Sequence, residues 1–151
     1  MAEKKKILFF DDDSFITQIL AQNLEVIGWE VTLVSEINDL FSNLKKRRFD
    51  IIILDIMAPI PKANNEYVNF TKDEIAEMDE AMNTGVVAAK KIWDIENKKY
   101  KNIPILFLSA KKDPRPENPE LQTDKCDYLR QPELVSTINE KLEKLMNNNN
   151  R

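Results

Sequence analysis

Acidic side chains and one hydroxyl follow three short apolar runs in this 151-residue sequence. Asp11, Asp12 and Asp13 come directly after the first run, Asp55 after the second and Ser109 after the third. Clustered carboxylates repel one another and are costly to bury, so such a group needs a cation. Oxygen ligands with open positions for water favour Mg²⁺. Asp55 is then a candidate nucleophile toward a phosphoryl group, with Ser109 as a hydrogen-bond donor to the phosphoryl oxygens.

Each of these positions also has an ordinary structural interpretation. The run Asp11-Asp12-Asp13-Ser14 is typical of the start of a helix, because acids and hydroxyls stabilise the free amides there. An Asp after a strand is a common turn former, and a Ser there is weaker evidence still. Chemistry is indicated by the conjunction of these residues at the ends of three strands, and not by any one of them.

The composition excludes several other kinds of chemistry. The sequence contains no His, so His-dependent triads, His metal ligands and His general bases are ruled out. Cys126 is the only cysteine, which excludes an internal disulfide and predicts a reducing, cytoplasmic location. A net charge of −4 offers no general attraction to nucleic acid or to an anionic membrane. No apolar run approaches the roughly 20 residues of a membrane span, and the N-terminus lacks a signal-peptide pattern.

Apolar runs alternate with amphipathic stretches along the chain. Continuous runs predict buried strands at 7–10, 31–34, 51–54 and 105–108, with a short fifth strand at 128–129. Helical spacing predicts helices over 14–27, 37–44, 86–95 and 133–146. This alternation indicates an α/β domain on a parallel sheet, with functional groups at the carboxyl ends of the strands. In the last helix we expect the following residues to face inward: Leu134, Val135, Ile138, Leu142 and Leu145.

Four segments of the sequence resemble the motifs of the response regulator receiver domain in order and spacing. They are residues 7–14, 52–59, 103–110 and 127–132, and the second includes the step from Asp55 to Pro59. The resemblance covers about residues 5–146. It implies a doubly wound five-stranded parallel sheet of order 2-1-3-4-5, the flavodoxin-like receiver fold. We expect a single domain over 1–151, with a frayed tail at 147–151.

The resemblance also assigns a role to each matching residue of the site. Asp55 is similar to the phospho-acceptor of the family, and Asp11 and Asp12 are similar to the acid pair that holds Mg²⁺. The backbone carbonyl of Met57 is implied as a further ligand of that ion. Ser109 is similar to the hydroxyl that moves toward the phosphoryl group.

The remaining implications concern switching and partners. Tyr128 is similar to the aromatic residue whose rotamer follows the move of the hydroxyl. The implied phosphoryl donor is a phosphohistidine on a sensor histidine kinase or phosphotransfer protein. The implied output is binding to an unknown downstream protein by a stand-alone receiver, with no nucleic acid and no membrane involved. Such a protein is not an enzyme, beyond catalysing its own phosphorylation and dephosphorylation.

The sequence departs from the family most clearly at the end of the fifth strand. The family has a Lys just before the Pro of this segment, and its ammonium pairs with the acceptor and later with the phosphoryl group. Gln131 occupies that position here, and its amide carries no charge. Arg130 precedes it but points to the opposite face of the strand. Lys111, two residues after Ser109, is the better placed substitute cation, although another cation is also possible.

Two further departures lie on either side of the fourth strand. Roughly 20 extra residues precede Gly85, in an insertion at about 60–84. In this insertion 71–74 has the form of a capping box, and Ile75, Met78 and Met82 share one face of a predicted inserted helix. Three roles stay open for this inserted helix: a lid over the site, a surface that binds a partner, or an addition without a function. In the stretch 113–122 three prolines oppose the fourth helix of the family.

Two alternative functions stay open on the sequence. One is a phosphorylation-deficient receiver-like scaffold that binds a partner constitutively, which Gln131 and the altered fourth-helix region favour. The other is a phosphohydrolase resembling the haloacid dehalogenase superfamily, in which Asp11 and Asp13 would form an Asp-x-Asp motif. That family needs a further acid pair after a late strand, and it leaves Asp55 without a role. The receiver function is therefore the main prediction.

Overall fold

Five parallel strands form the central sheet of the computed structural model, which describes residues 3–12, 14–58, 70–94 and 100–149. The strands are β1 (Lys6–Phe10), β2 (Glu30–Val34), β3 (Ile51–Leu54), β4 (Ile105–Ser109) and β5 (Cys126–Arg130). Their order is β2-β1-β3-β4-β5, and every neighbouring pair is parallel. The predicted sheet order is confirmed. Asp13, Pro59 and the first part of the predicted insertion, 60–69, lie outside the described residues.

Two hydrophobic clusters cover the two faces of this sheet. In β1, Leu8 and Phe10 belong to one cluster, and Ile7 and Phe9 belong to the other. This division follows from the alternation of side chains along a strand. All four side chains are fully buried, which is why the strand reads as a continuous apolar run rather than an alternating one.

Helices pack on both faces, as the doubly wound architecture requires. They are α1 (Phe15–Ile27), α2 (Ile37–Lys46), α3 (Lys72–Glu80), α4 (Thr84–Trp93) and α5 (Val135–Asn149). The first cluster includes buried residues of α2 and α4, and the second includes buried residues of α1 and α5. None of these helices, within the part of the chain that is described, is long and apolar enough to cross a membrane.

Helix α1 buries a different face from the one its apolar residues outline. Leu24 is fully buried, whereas Phe15 and Ile16 are each 75% exposed. The small residues Thr17 and Ala21 turn inward instead. The hydroxyl of Thr17 contacts that of the N-cap residue Ser14 at 2.7 Å, and this local bonding accompanies the inward placement of Thr17. The first turn of α1 therefore presents large apolar side chains to solvent.

The inserted helix is present as predicted, with one correction. Thr71 and Glu74 form the predicted capping box at the start of α3, with backbone-to-side-chain distances of 2.8 and 3.1 Å. Met78 is buried and Ile75 packs against the core. Met82 does not share their helical face, because the helix ends at Glu80 and Met82 has a positive φ of 54°.

The segment before β5 has no regular α-helix, as its prolines predict. Two short 3-10 turns, Arg115–Glu117 and Pro119–Leu121, occupy the place of the usual fourth helix. Proline stands at the start of the second turn and in the first turn, where the missing amide is not needed.

The last helix differs from the prediction at both ends. Leu134 was expected inward, but it precedes the first helical residue and is 69% exposed. At the other end, α5 continues to Asn149, so it includes the first residues of the tail for which fraying stays a prediction. The side-chain amide of Asn148 donates to the carbonyl of Asp124, and Lys125 donates to the carbonyl of Asn148. These contacts hold the last turn to the start of β5.

Candidate functional site

Asp55 and Ser109 meet at the carboxyl ends of two neighbouring strands. Ser109 ends β4 and is fully buried, and its hydroxyl donates to Oδ1 of Asp55 at 2.7 Å. The same oxygen of Asp55 accepts from the backbone amide of Met57 at 3.2 Å. The amide of Lys111 donates to the Ser109 oxygen at 3.2 Å. The predicted convergence of strands β3 and β4 on one site is therefore found, with Asp55 as its centre.

Asp11 brings a second carboxyl group to Asp55 from β1. Phe10 pairs with Leu54 in the parallel ladder, so the residues that follow them lie side by side. Asp11 is only 3% exposed. Burial, followed by the negative charge of Asp55 and a hydrogen bond with it, raises the pKa of Asp11 to about 8. The raised pKa of Asp11 thus reflects burial of a carboxyl group beside the negative charge of Asp55.

Asp12 is turned away from this pair. Its Oδ1 accepts from the hydroxyl of Thr17 at 3.5 Å, and Ser14 accepts from the amide of Thr17 at 3.1 Å as the N-cap of α1. The acidic run thus begins a helix as well as supplying a carboxylate to the site. Within the described ranges, no three acidic or cysteine side chains are grouped as ligands of one ion.

The donor set fits a hard divalent cation in part. Two neighbouring carboxyl groups that are shielded from water need either a proton or a cation, and the buried Asp11 and the half-buried Asp55 are such a pair. Asp12 would have to change its side-chain rotamer to join them, and its backbone already donates to Asp11 at 2.7 Å. The assignment of Asp11, Asp12, Asp55 and the Met57 carbonyl as ligands stays a prediction.

Gly85 supports the site through its missing side chain. A Cβ atom at this position would lie 2.2 Å from the carbonyl oxygen of Asp55. The amide of Gly85 also donates to the carbonyl of Ile56 at 3.0 Å. The start of α4 can therefore lie against the loop after β3 only because residue 85 has no side chain. The sequence indicated Gly85 as the end of the insertion, but not this contact.

Lys111, the predicted substitute cation, is held by the end of the insertion. Its ammonium group donates to the carbonyl of Ala81, to that of Met82 at 3.3 Å and to the side-chain oxygen of Asn83 at 2.7 Å. These three acceptors carry no formal charge. The sequence did not indicate this contact, because 28 residues separate Lys111 from Asn83.

Gln131 and Tyr128 lie on the other side of Ser109. The backbone amide of Gln131 donates to the carbonyl of Ser109 at 2.9 Å, and a cis peptide bond joins Gln131 to Pro132. The hydroxyl of Tyr128 donates to the carbonyl of Lys111. The positions that the resemblance singles out are thus connected to the β4 end by short hydrogen bonds, while their roles stay predictions.

Comparison with known proteins supports the resemblance. No family model matches the chain. The response regulator GraR of Staphylococcus epidermidis is 22% identical over 138 residues, which are 91% of this chain and 50% of that protein. The chain spans about half the length of the curated relatives that it matches over most of its length.

Solved structures agree on the fold. A response regulator from Chloroflexus aurantiacus superposes with a TM-score of 0.70 at 19% identity, covering 96% of this chain and 99% of that one. The receiver domain of a sensor histidine kinase from Pseudomonas aeruginosa superposes with a TM-score of 0.67 at 20% identity, covering 95% and 98%. That structure is described with a magnesium ion coordinated in its active-site cleft.

Proposed function

We propose that this chain, whose fold is that of the response regulator receiver domain, accepts a phosphoryl group on Asp55 with the help of Mg²⁺. The donor is a phosphohistidine of a sensor histidine kinase or of a phosphotransfer protein. The added charge then switches a surface that binds a downstream protein. Apart from its own phosphorylation and dephosphorylation, the chain needs no enzymatic activity in this proposal.

One observation carries the proposal. The buried carboxyl group of Asp11 lies next to the half-buried carboxyl group of Asp55, and the hydroxyl of Ser109 donates to that Asp55 side chain at 2.7 Å. A structural role alone does not account for two acids in contact at a buried sheet edge, because such a pair destabilises the fold unless something compensates its charge. A divalent cation supplies that compensation, and it also counters the charge of a phosphoryl group. The relative with magnesium in its cleft supports the choice of cation.

The transfer is a displacement at phosphorus. A carboxylate oxygen of Asp55 attacks, an O–P bond forms, and the P–N bond to the donor imidazole breaks with its electron pair returning to nitrogen. The cation, when bound, neutralises charge on the phosphoryl oxygens. Asp11, Asp12, Asp55 and the carbonyl of Met57 would hold it. Ser109 donates its hydroxyl hydrogen to a phosphoryl oxygen.

Lys111 supplies the positive side chain that Gln131 lacks. The backbone amide of Lys111 is hydrogen-bonded to Ser109, which in turn contacts Asp55, so the lysine is two hydrogen bonds from the acceptor. Its ammonium carries the positive charge that a phosphoryl group on Asp55 would attract. Gln131 contributes an uncharged donor from the neighbouring strand end.

Intact-mass analysis tests the function directly. The protein is incubated with Mg²⁺ and acetyl phosphate or phosphoramidate, and we expect a mass gain of one phosphoryl group. The gain should disappear in Asp55→Asn and in the presence of a chelator, and should persist in Asp39→Asn, an exposed acid on α2. No gain in the wild type with any donor would refute the proposal and favour a phosphorylation-deficient scaffold. A gain that survives Asp55→Asn would refute the assignment of the acceptor.

A further inference from the structure

The residues after the inserted helix bind the ammonium group of Lys111, the cation that the proposed phosphorylation site would use. We propose that Asn83, with the carbonyls of Ala81 and Met82, is the resting site of the Lys111 ammonium, and that phosphorylation of Asp55 draws the ammonium away and releases this turn. We call residues 81–83 the cradle. The inference rests on the proposed function, and it makes Asn83 a positioning residue for that reaction.

Lys111 connects the cradle to the acceptor through separate parts of one residue. Its backbone amide donates to Ser109, its backbone carbonyl accepts from Tyr128, and its ammonium donates to the cradle. A shift of Ser109 toward a phosphoryl group therefore moves the backbone that carries the ammonium. The inserted segment is mechanically joined to the predicted switch residues by this lysine.

The cradle lies beside the acceptor along the chain as well. Asn83 is two residues from Gly85, whose backbone is in contact with the carbonyl of Asp55. The ammonium therefore rests near the same strand edge that would carry the phosphoryl group.

Asn83 has a side-chain bond that its position does not predict. It precedes the first residue of α4, where Asn normally accepts from a free helix amide. Its side chain makes no such cap and accepts from Lys111 at 2.7 Å instead. The neighbouring Met82 is held at a positive φ of 54°, which is an uncommon conformation for a non-glycine residue. The Asn83 side chain therefore binds the Lys111 ammonium and does not cap α4.

The charges favour transfer of the ammonium after phosphorylation. The cradle offers two carbonyls and an amide, whereas a phosphoryl group offers anionic oxygens with a charge of about −1.5 to −2. The Coulomb attraction between two opposite charges adds to the hydrogen bond at the phosphoryl group, and the uncharged oxygens of the cradle do not supply it. Release should be confined to the end of the insertion, because Met78 is buried and Glu74 bonds Lys91 at 3.0 Å.

The rate of phosphorylation by acetyl phosphate gives a test in which two partners of one contact act in opposite directions. Lys111→Met should slow the reaction, and Lys111→Arg should retain part of the rate. Asn83→Ala should speed it by roughly tenfold, since losing one hydrogen bond from a charged donor frees the ammonium by about that factor. Asn83→Asp adds a charge to the cradle and should slow it. A purely structural contact would instead lower the rate in both Lys111→Met and Asn83→Ala, and that result would overturn the proposal.

Lys112→Met is the matched control for loss of a lysine. The Lys112 ammonium lies 2.8 Å from Glu117 in an exposed ion pair. The Lys112→Met variant should be phosphorylated by acetyl phosphate at the same rate as the wild type. A decrease equal to that of Lys111→Met would show a general effect of positive charge and would also overturn the proposal.

Hydrogen exchange with mass detection tests the release itself. In the wild type, phosphorylation should increase exchange in peptides that cover the cradle and leave those of β1 and β3 unchanged. In Lys111→Met the cradle should exchange fast with and without phosphorylation. The intact mass of the same sample separates two failures. No phosphoryl gain refutes the proposed function and the cradle with it, whereas a phosphoryl gain without faster exchange refutes the cradle alone.

Discussion

Gly85 is the position where a single methyl group should disturb both the fold and the phosphorylation site. A Cβ at residue 85 would lie 2.2 Å from the Asp55 carbonyl oxygen and 2.8 Å from its carbonyl carbon. Both obstacles are backbone atoms, so no side chain can rotate to make room. The start of α4 and the loop after β3 must therefore separate by most of an ångström. Buried residues of α4 such as Val86 and Ile92 oppose that movement.

The expected magnitude follows from two opposing effects of Gly85→Ala. Helix propensity alone would stabilise the protein by about 1 kcal/mol, since alanine replaces glycine in a helix. Overpacking costs about 3 kcal/mol, at the upper end of the usual range because backbone must move. We expect a net loss of about 2 kcal/mol in the free energy of unfolding. For a chain of this size that loss lowers Tm by about 4–8 °C.

Thermal unfolding and intact-mass phosphorylation together check this prediction. Gly28→Ala is the matched control, because nothing lies within 4 Å of its added Cβ but its φ of 130° strains any side chain. We expect Gly28→Ala to lose stability while keeping phosphorylation, and Gly85→Ala to lose both. Wild-type or higher Tm with normal phosphorylation in Gly85→Ala would show that the contact with Asp55 does not constrain the site.

Three further predictions concern buried polar groups. In the presence of a chelator the free energy of unfolding should fall by a few kcal/mol, about 1.4 per pKa unit, as pH rises from about 4 to about 8. The reason is that Asp11 binds its proton more tightly in the folded state, with a pKa raised to about 8 from 3.8. Asp11→Asn should flatten this decline in urea titrations at several pH values, and an unchanged slope would contradict the prediction. Thr84→Val should raise the free energy of unfolding by about 1 kcal/mol, because the Thr84 hydroxyl is buried without a hydrogen-bond partner among the described residues. A loss on thermal unfolding would reveal a partner for that hydroxyl. Asn139→Ala should lower the free energy of unfolding by about 1–3 kcal/mol. The indole N–H of Trp29 donates to Asn139 at 2.7 Å and would be left unpaired in this variant. The loss should vanish in a Trp29→Phe background, and a loss that persists there would assign it to another contact.

The elements were predictable because their signals are local. Continuous apolar runs identified β1, β3 and β4, and the Thr71 capping box identified α3. The exposure of Phe15 and Leu134 was not predictable, because which residues of a helix face inward depends on how that helix docks. Hydrophobic spacing shows that a helix has an apolar face. Packing against neighbouring elements decides which of its residues are buried.

The same division holds at the site. The sequence by itself determined that Asp11, Asp55 and Ser109 would lie at one edge, because parallel strands bring their carboxyl ends together. Only the tertiary structure decided that Asp11 rather than Asp12 contacts Asp55, and that Lys111 rests on residues 81–83. Those outcomes depend on rotamers and on contacts between residues far apart in the chain, for which adjacent sequence carries no signal.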